Sequence, residues 1–305
     1  MKPLKNVQAS VRQRLLNRAR IENRPFNELL QYYAMERFLY RLSRSVHRDK
    51  FILKGALMLR VWEAAEFRST KDIDMLGITS NNGAIIVQQI REIMVCEVEP
   101  DGLRFEQESI GSESIIEDAE YVGIRVTFVC YLGSAKINMQ VDVGFGDIVH
   151  PGPVDSNLPT MLDDPSPSFL GYTRDSLIAE KFETMVKRGD LNSRMKDFYD
   201  IWLLSRQFEF DSVKLAEAVR LTFQRRGTTI PDDLDAFNER FADAKQMQWI
   251  AFRKRLRLDQ VPESFREIIS VVRKFLAPIV AANQIKTTPT LHISQETSDK
   301  FKPED

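Results

Sequence analysis

The stretch "FRSTKDIDMLG", Phe67–Gly77, sets a polar approach against a short apolar run that reads as a strand. Asp72 and Asp74 stand two apart, and side chains two apart on a strand point to the same face. Two like charges on one half-buried face repel each other and resist desolvation, so they need compensation. The plainer sources are solvent or pairing with Lys71 and Arg68. The sharper one is a divalent cation. Mg2+ takes hard oxygen ligands, commonly one or two carboxylates plus substrate phosphates, and its charge would offset the repulsion.

A third carboxylate lies in "INMQVDVGFGD", Ile137–Asp147. Strand alternation puts Ile137, Met139 and Val141 on one face, with Asn138, Gln140 and Asp142 on the other. If this strand lies beside the first, three acids converge. That set suits metal ions bridging a nucleoside triphosphate and an attacking hydroxyl. Asp147 comes after the "GFG" turn and is a weaker member. Upstream, "LKGAL" places Lys54, Gly55 and Ala56 at a strand-to-helix junction. Glycine lets backbone N–H groups approach a phosphate, and a helix N-terminus favours anions. A plain packing turn would look the same.

Around these segments the chain divides by pattern. Residues 6–47 show helical spacing, broken at "NRPF", where Pro25 suggests the start of a second helix. "KFILKG" and "KDIDMLG" read as short strands, and "NNGAIIVQQIREIMVCEV" as a capped helix. "LRFEQESI", "YVGIRVTFVCYL" and "AKINMQVDVGFGD" are rich in Val, Ile, Phe and Tyr, with "YLGSAK" as a hairpin turn. The Pro-rich "HPGPVDSNLPTMLDDPSPSF" reads as a loop between lobes. Beyond Gly171 the pattern is helical. From Gln284 the chain is polar and patternless, so disorder is expected there. The expected architecture is α+β and bilobed: N-terminal helices (1–48), a core with a small mixed sheet (49–165), a helical C-terminal lobe (166–283) and a tail (284–305). No G-x-G-x-x-G fingerprint or internal repeat is present.

The formal net charge of -1 gives no global basic field, so any nucleic-acid binding needs local patches. Such patches are Lys187, Arg188, Arg194 and Lys196; Arg225-Arg226; and "FRKRLRL", Phe252–Leu258. Cys96 and Cys130 belong to no C-x-x-C pair and read as buried, reduced thiols of a cytoplasmic protein. His47, His150 and His292 are scattered and suggest neither a zinc site nor a triad. Trp62, Trp202 and Trp249 read as core. The N-terminus carries no apolar signal core, and no apolar run is long enough to span a membrane.

Four segments in order carry a resemblance: "FILKGALMLRVW", "FRSTKDID", "QVDVGFGD" and "EKFETMVKRGDLNSRMKDFYDIWLL". Together they resemble the AbiEii nucleotidyltransferase toxins of the polymerase-beta-like superfamily, which include the mycobacterial MenT relatives. The likeness runs from about Lys5 to about Leu204, and more loosely to the C-terminal helices. It implies that residues 49–165 form a nucleotidyltransferase core. It implies Asp72, Asp74 and Asp142 as metal ligands for Mg2+ or Mn2+, and Gly55 and Ala56 as the turn meeting the triphosphate. It implies Lys181 as a nucleotide contact, with Asp197 and Asp200 as the acids of the K-D-x-x-D segment. The wider superfamily has Gly-Ser at the turn. Gly55-Ala56-Leu57 lacks the hydroxyl, so phosphate contact would rest on backbone donors and on Lys54 or Arg68.

The resemblance further implies transfer of a nucleoside monophosphate from an NTP (an EC 2.7.7-type reaction) to RNA, the 3′ end of tRNA among the candidates. The outcome would be growth arrest or phage defence, with a separately encoded antitoxin, often a winged-helix repressor, as partner. Read without the family, Asp197 and Asp200 are three apart on a helix and share a face. Lys181 or Arg194 could pair with them structurally, or Lys181 could clamp phosphates. Two rivals stay open: a transferase acting on a small molecule or a protein, and a non-catalytic nucleotide-binding protein with a decayed site.

Overall fold

The apolar periodicity of the N-terminal segment folds into two helices, α1 (Val7–Ile21) and α2 (Phe26–Arg44), with Pro25 capping the second. The computed structural model describes residues 6–64, 68–117, 121–232, 234 and 237–287. Phe67, in the segment that opens the site, and the expected tail beyond Thr287 lie outside the described residues. Next come β1 (Phe51–Lys54), α3 (Leu57–Val61), β2 (Ile73–Gly77) and α4 (Gly83–Met94). The α4 cap is Asn82, whose side chain accepts from the Ala84 N–H at 2.9 Å. A meander follows: β3 (Leu103–Glu117), β4 (Tyr121–Leu132) and β5 (Ala135–Phe145).

The Pro-rich stretch is not simply a loop. It holds β6 (Val154–Asn157) and β7 (Ser168–Gly171). β7 runs parallel to β1 and lies past residue 165, where the core was expected to end. Both strands are too short for alternation to stand out among the prolines. The sheet order is β3-β4-β5-β2-β1-β7-β6, with β2 antiparallel to β1 and parallel to β5. One face packs on α2 and α4 around Phe38, Ile90, Met75, Val141 and Phe128.

The C-terminal lobe is helical: α5 (Arg174–Arg188), α6 (Met195–Gln207), α7 (Ser212–Arg225), α8 (Glu239–Leu256) and α9 (Phe265–Thr287). It has its own aromatic core of Phe182, Phe198, Phe223, Trp249 and Phe265. The short α3 joins the two cores, giving Leu57 and Met58 to one and Leu59 to the other. Residues 284–287, expected as tail, continue α9. Trp202 and Trp249 are core residues, whereas Trp62 is half-buried between the cores. Cys130 is buried, but Cys96 is only partly so, because it follows α4 in a short exposed connection. Among the described residues, no helix is long and apolar enough to cross a membrane.

Candidate active site

Strand register builds the site. Asp74 lies opposite Lys54 on β1 and opposite Asp142 on β5. Asp142 lies opposite Arg125 on β4, which lies opposite Glu113 on β3. Directly opposed residues share a sheet face. One row across five strands therefore reads Glu113, Arg125, Asp142, Asp74, Lys54. Neighbours alternate in sign except Asp142 and Asp74, and like charges directly opposite destabilise a sheet. Asp72, just before β2, adds a third acid. One carboxylate oxygen from each of Asp72, Asp74 and Asp142 lies within 4.8 Å of the other two.

The three acids are held differently. Asp142 accepts from Arg125 Nε at 2.9 Å and Nη2 at 2.8 Å, and from the Gln140 amide at 3.1 and 3.0 Å. Asp72 accepts from the Thr70 hydroxyl. Among the described residues, no hydrogen bond or ion pair reaches the Asp74 side chain. Burial and the charge of Asp72 push its carboxyl up to about 6, against the pull of Lys196 and Lys54. Gly55, with φ +71°, runs against Asp74 so closely that an added Cβ would sit 2.0 Å from Asp74 Oδ2. The turn therefore needs glycine for both its dihedral and its clearance.

This donor set fits a hard divalent cation. Three oxygens converge, Asp74 faces both Asp72 and Asp142 without an ion pair of its own among the described residues, and its carboxylate has no other hydrogen-bond partner there. Asp142 would have to share lone pairs already used by Arg125 and Gln140. The five-residue α3 that follows Gly55 and Ala56 is too short for a substantial macrodipole. Any anion at this turn would be met mainly by backbone N–H groups.

From the helical lobe, α5 and α6 face the row. Lys181 donates to Asp197 at 3.0 Å and pairs with Asp200 at 2.7 Å. Arg68 holds Asp200 with both arms, at 2.8 and 3.0 Å, and Arg194 holds Asp197 at 2.7 Å. Asp197 and Asp200 are almost fully buried. The neighbouring cations hold both acids below the usual carboxylate range despite burial, and the two acids raise Lys181. Lys54 is engaged by Asp147 at 2.8 Å and by Glu180 at 3.4 Å, with Arg226 on the far side of Asp147 at 2.9 Å. Thus Lys54, Arg68 and Lys181, read from sequence as phosphate contacts, all carry carboxylate partners here. Just before α6, Asn192 accepts from the Arg194 N–H at 2.8 Å.

Lys196 differs from these cations. It lines the same cleft of about 220 Å³ as the three acids. Among the described residues it makes no hydrogen bond or ion pair. Burial and the nearby charges of Arg194, Lys181 and Arg68 lower its pKa. From sequence, Lys196 stands only within a basic cluster, Gln140 only on the face it shares with Asp142, and Arg125 is not singled out. Alternation along "GIRVTF" does put Arg125 on a set face, but its partner depends on strand order. A second cavity of about 160 Å³ adjoins the first, sharing Lys54, Asp74, Asp142 and Thr184, and extends over Gly123 and Gly144 toward Lys187 and Arg188.

A family profile described as "Nucleotidyl transferase AbiEii toxin, Type IV TA system" matches residues 37–271. Among solved structures, JHP933 from Helicobacter pylori is similar at 12% identity and TM-score 0.49, covering 85% of this chain and 94% of that one. A second H. pylori crystal structure, provisionally described as a nucleotidyltransferase, has the same identity and TM-score and covers 85% and 96%. No curated protein matches the chain.

Proposed function

We propose, from the premise that the chain belongs to the AbiEii nucleotidyl transferase toxin family, that it moves a nucleoside monophosphate from an NTP to an RNA hydroxyl, with the 3′ end of tRNA as acceptor. The observation that carries this reading is the convergence of the Asp72, Asp74 and Asp142 carboxylates in one cleft, faced by Lys181, Arg194 and Lys196 of the helical lobe. In the reaction, the acceptor oxygen attacks the α-phosphorus in line, the bond to the bridging oxygen breaks, pyrophosphate leaves and the hydroxyl proton passes to water. A Mg2+ or Mn2+ ion held by Asp72, Asp74 and Asp142 would supply positive charge to the phosphates and align the hydroxyl. Asp74, close against the Gly55 turn, would sit nearest the triphosphate, and Lys196 would meet its negative charge. Lys181 and Asp197 would position the helical lobe, with Arg68 tying Asp200 beneath them. The setting would be cytoplasmic, with growth arrest or phage defence as outcome and a winged-helix antitoxin as the restraining partner.

The test is transfer of label from α-³²P-NTPs, with Mg2+, to purified tRNA, comparing wild type with Asp74→Asn. Label in RNA with the wild type alone is the expected result. Label moving to a small molecule or a protein would replace the acceptor class. No transfer and no Mn2+ binding by wild type would identify a nucleotide-binding protein with a decayed centre.

A further inference from the structure

An open groove leads out of the carboxylate cleft between the start of α6 and one face of α8. Arg194 and Lys196 line both the cleft and the groove, so the two are continuous. The groove has a volume of about 440 Å³, and Gln248, Phe252 and Arg255 form its α8 wall. Its charged lining is Arg194, Lys196 and Arg255, and no described carboxylate lines it. Arg194 is already bonded to Asp197. Neither Lys196 nor Arg255 has a hydrogen bond or ion pair among the described residues; Arg255 instead lies over the Phe252 ring at 5.9 Å. Two larger cavities elsewhere have mixed linings: one, of about 570 Å³, carries Glu22, Glu28 and Asp259 with Arg24, Arg255 and Arg257, and another, of about 560 Å³, carries Glu28 with Lys71 and Lys136.

Lys196 and Arg255 line one groove without an ion pair among the described residues, and a polyanion would supply the missing counter-charge. A phosphodiester chain matches the arrangement. Phosphate contacts fix the register of a nucleic acid without reading its sequence, and here the cations form a track that ends at the three acids. We propose that the α6–α8 groove holds the backbone phosphates of the RNA acceptor, leading its 3′ end past Lys196 to Asp72, Asp74 and Asp142. The inference rests on the RNA-acceptor reading above and adds its route.

The test is fluorescence anisotropy of labelled tRNA over a range of salt, without NTP, on the full chain. Arg255 is exposed, so its variants are expected to fold as wild type does. Arg255→Ala should make the slope of log affinity against log salt shallower by about 0.7, the value for one lost contact to a single strand. Arg255→Glu should weaken binding at least about tenfold. Lys136→Glu, on the exposed start of β5, should bind tRNA as wild type does, and a fluorescent NTP should bind all three variants equally. An Arg255→Glu variant that keeps wild-type affinity and slope overturns the groove while leaving the RNA reading in place. Wild type that binds NTP but no tRNA overturns both. Displacement of tRNA by polyglutamate at matched charge would overturn the assignment to RNA.

Discussion

Asp74 concentrates the residue-scale chemistry of the site. Its carboxyl is raised to about 6 because the cleft desolvates it and Asp72 lies beside it, so its charged form is costly in the folded state. Folding therefore favours its protonated form: the penalty is absent well below pH 4, grows between about pH 4 and pH 6, and is constant above that. A divalent cation needs the ionised form, so binding must expel the proton at low pH. Mn2+ affinity should thus fall about tenfold from pH 7 to pH 5 and level off above pH 7, as followed by electron paramagnetic resonance titration. A flat profile would show that Asp74 does not gate the cation. Gly55 makes a second demand at this scale. Its positive φ and its closeness to Asp74 mean that a methyl group there would strain the turn and push the carboxylate aside together.

At the scale of elements, the buried network between α5, α6 and the segment before β2 decides what substitutions mean. Among the described residues the Arg68 guanidinium pairs with Asp200, which shares Lys181 with Asp197. Removing one partner of a buried pair strands the other, typically at about 3–5 kcal/mol. Urea unfolding should show a loss of that size for Asp200→Ala and little change for Asp72→Asn, which relieves like-charge repulsion. Equal losses would mean that the cluster of three acids also holds the fold.

Much of this was legible in the sequence. The strand carrying Asp74, the alternation that turns Asp142 away from Met139 and Val141, and the helix carrying Asp197 and Asp200 all follow from period alone. What periodicity lacks is adjacency. Nothing in "GIRVTF" says that Arg125 will face Asp142, because that depends on β5 lying between β4 and β2. The same gap hid β7, whose few residues are a strand only because β1 offers an edge. The commitment of Lys54 to Asp147 was equally hidden, since the two meet across the sheet and not along the chain.

For the whole molecule, two cores are joined by charge as well as by α3. Arg226, following α7, reaches Asp147 from the sheet and Glu183 from α5, each at 2.9 Å. Its three acidic neighbours, Asp147, Glu180 and Glu183, would lose their shared cation in Arg226→Met. Calorimetry should then resolve two unfolding transitions where the wild type gives one; a single transition lowered as a unit would show that apolar contacts alone couple the lobes.

The parallel pairing of β2 with β5 also carries a consequence for synthesis. β3 and β4 must emerge from the ribosome before the strand bearing Asp142 can slot in beside the strand bearing Asp74, and α6 with Lys196 emerges later still. A growing chain therefore lacks the complete lining of the cleft through most of its own translation, and one terminated before α6 never acquires it.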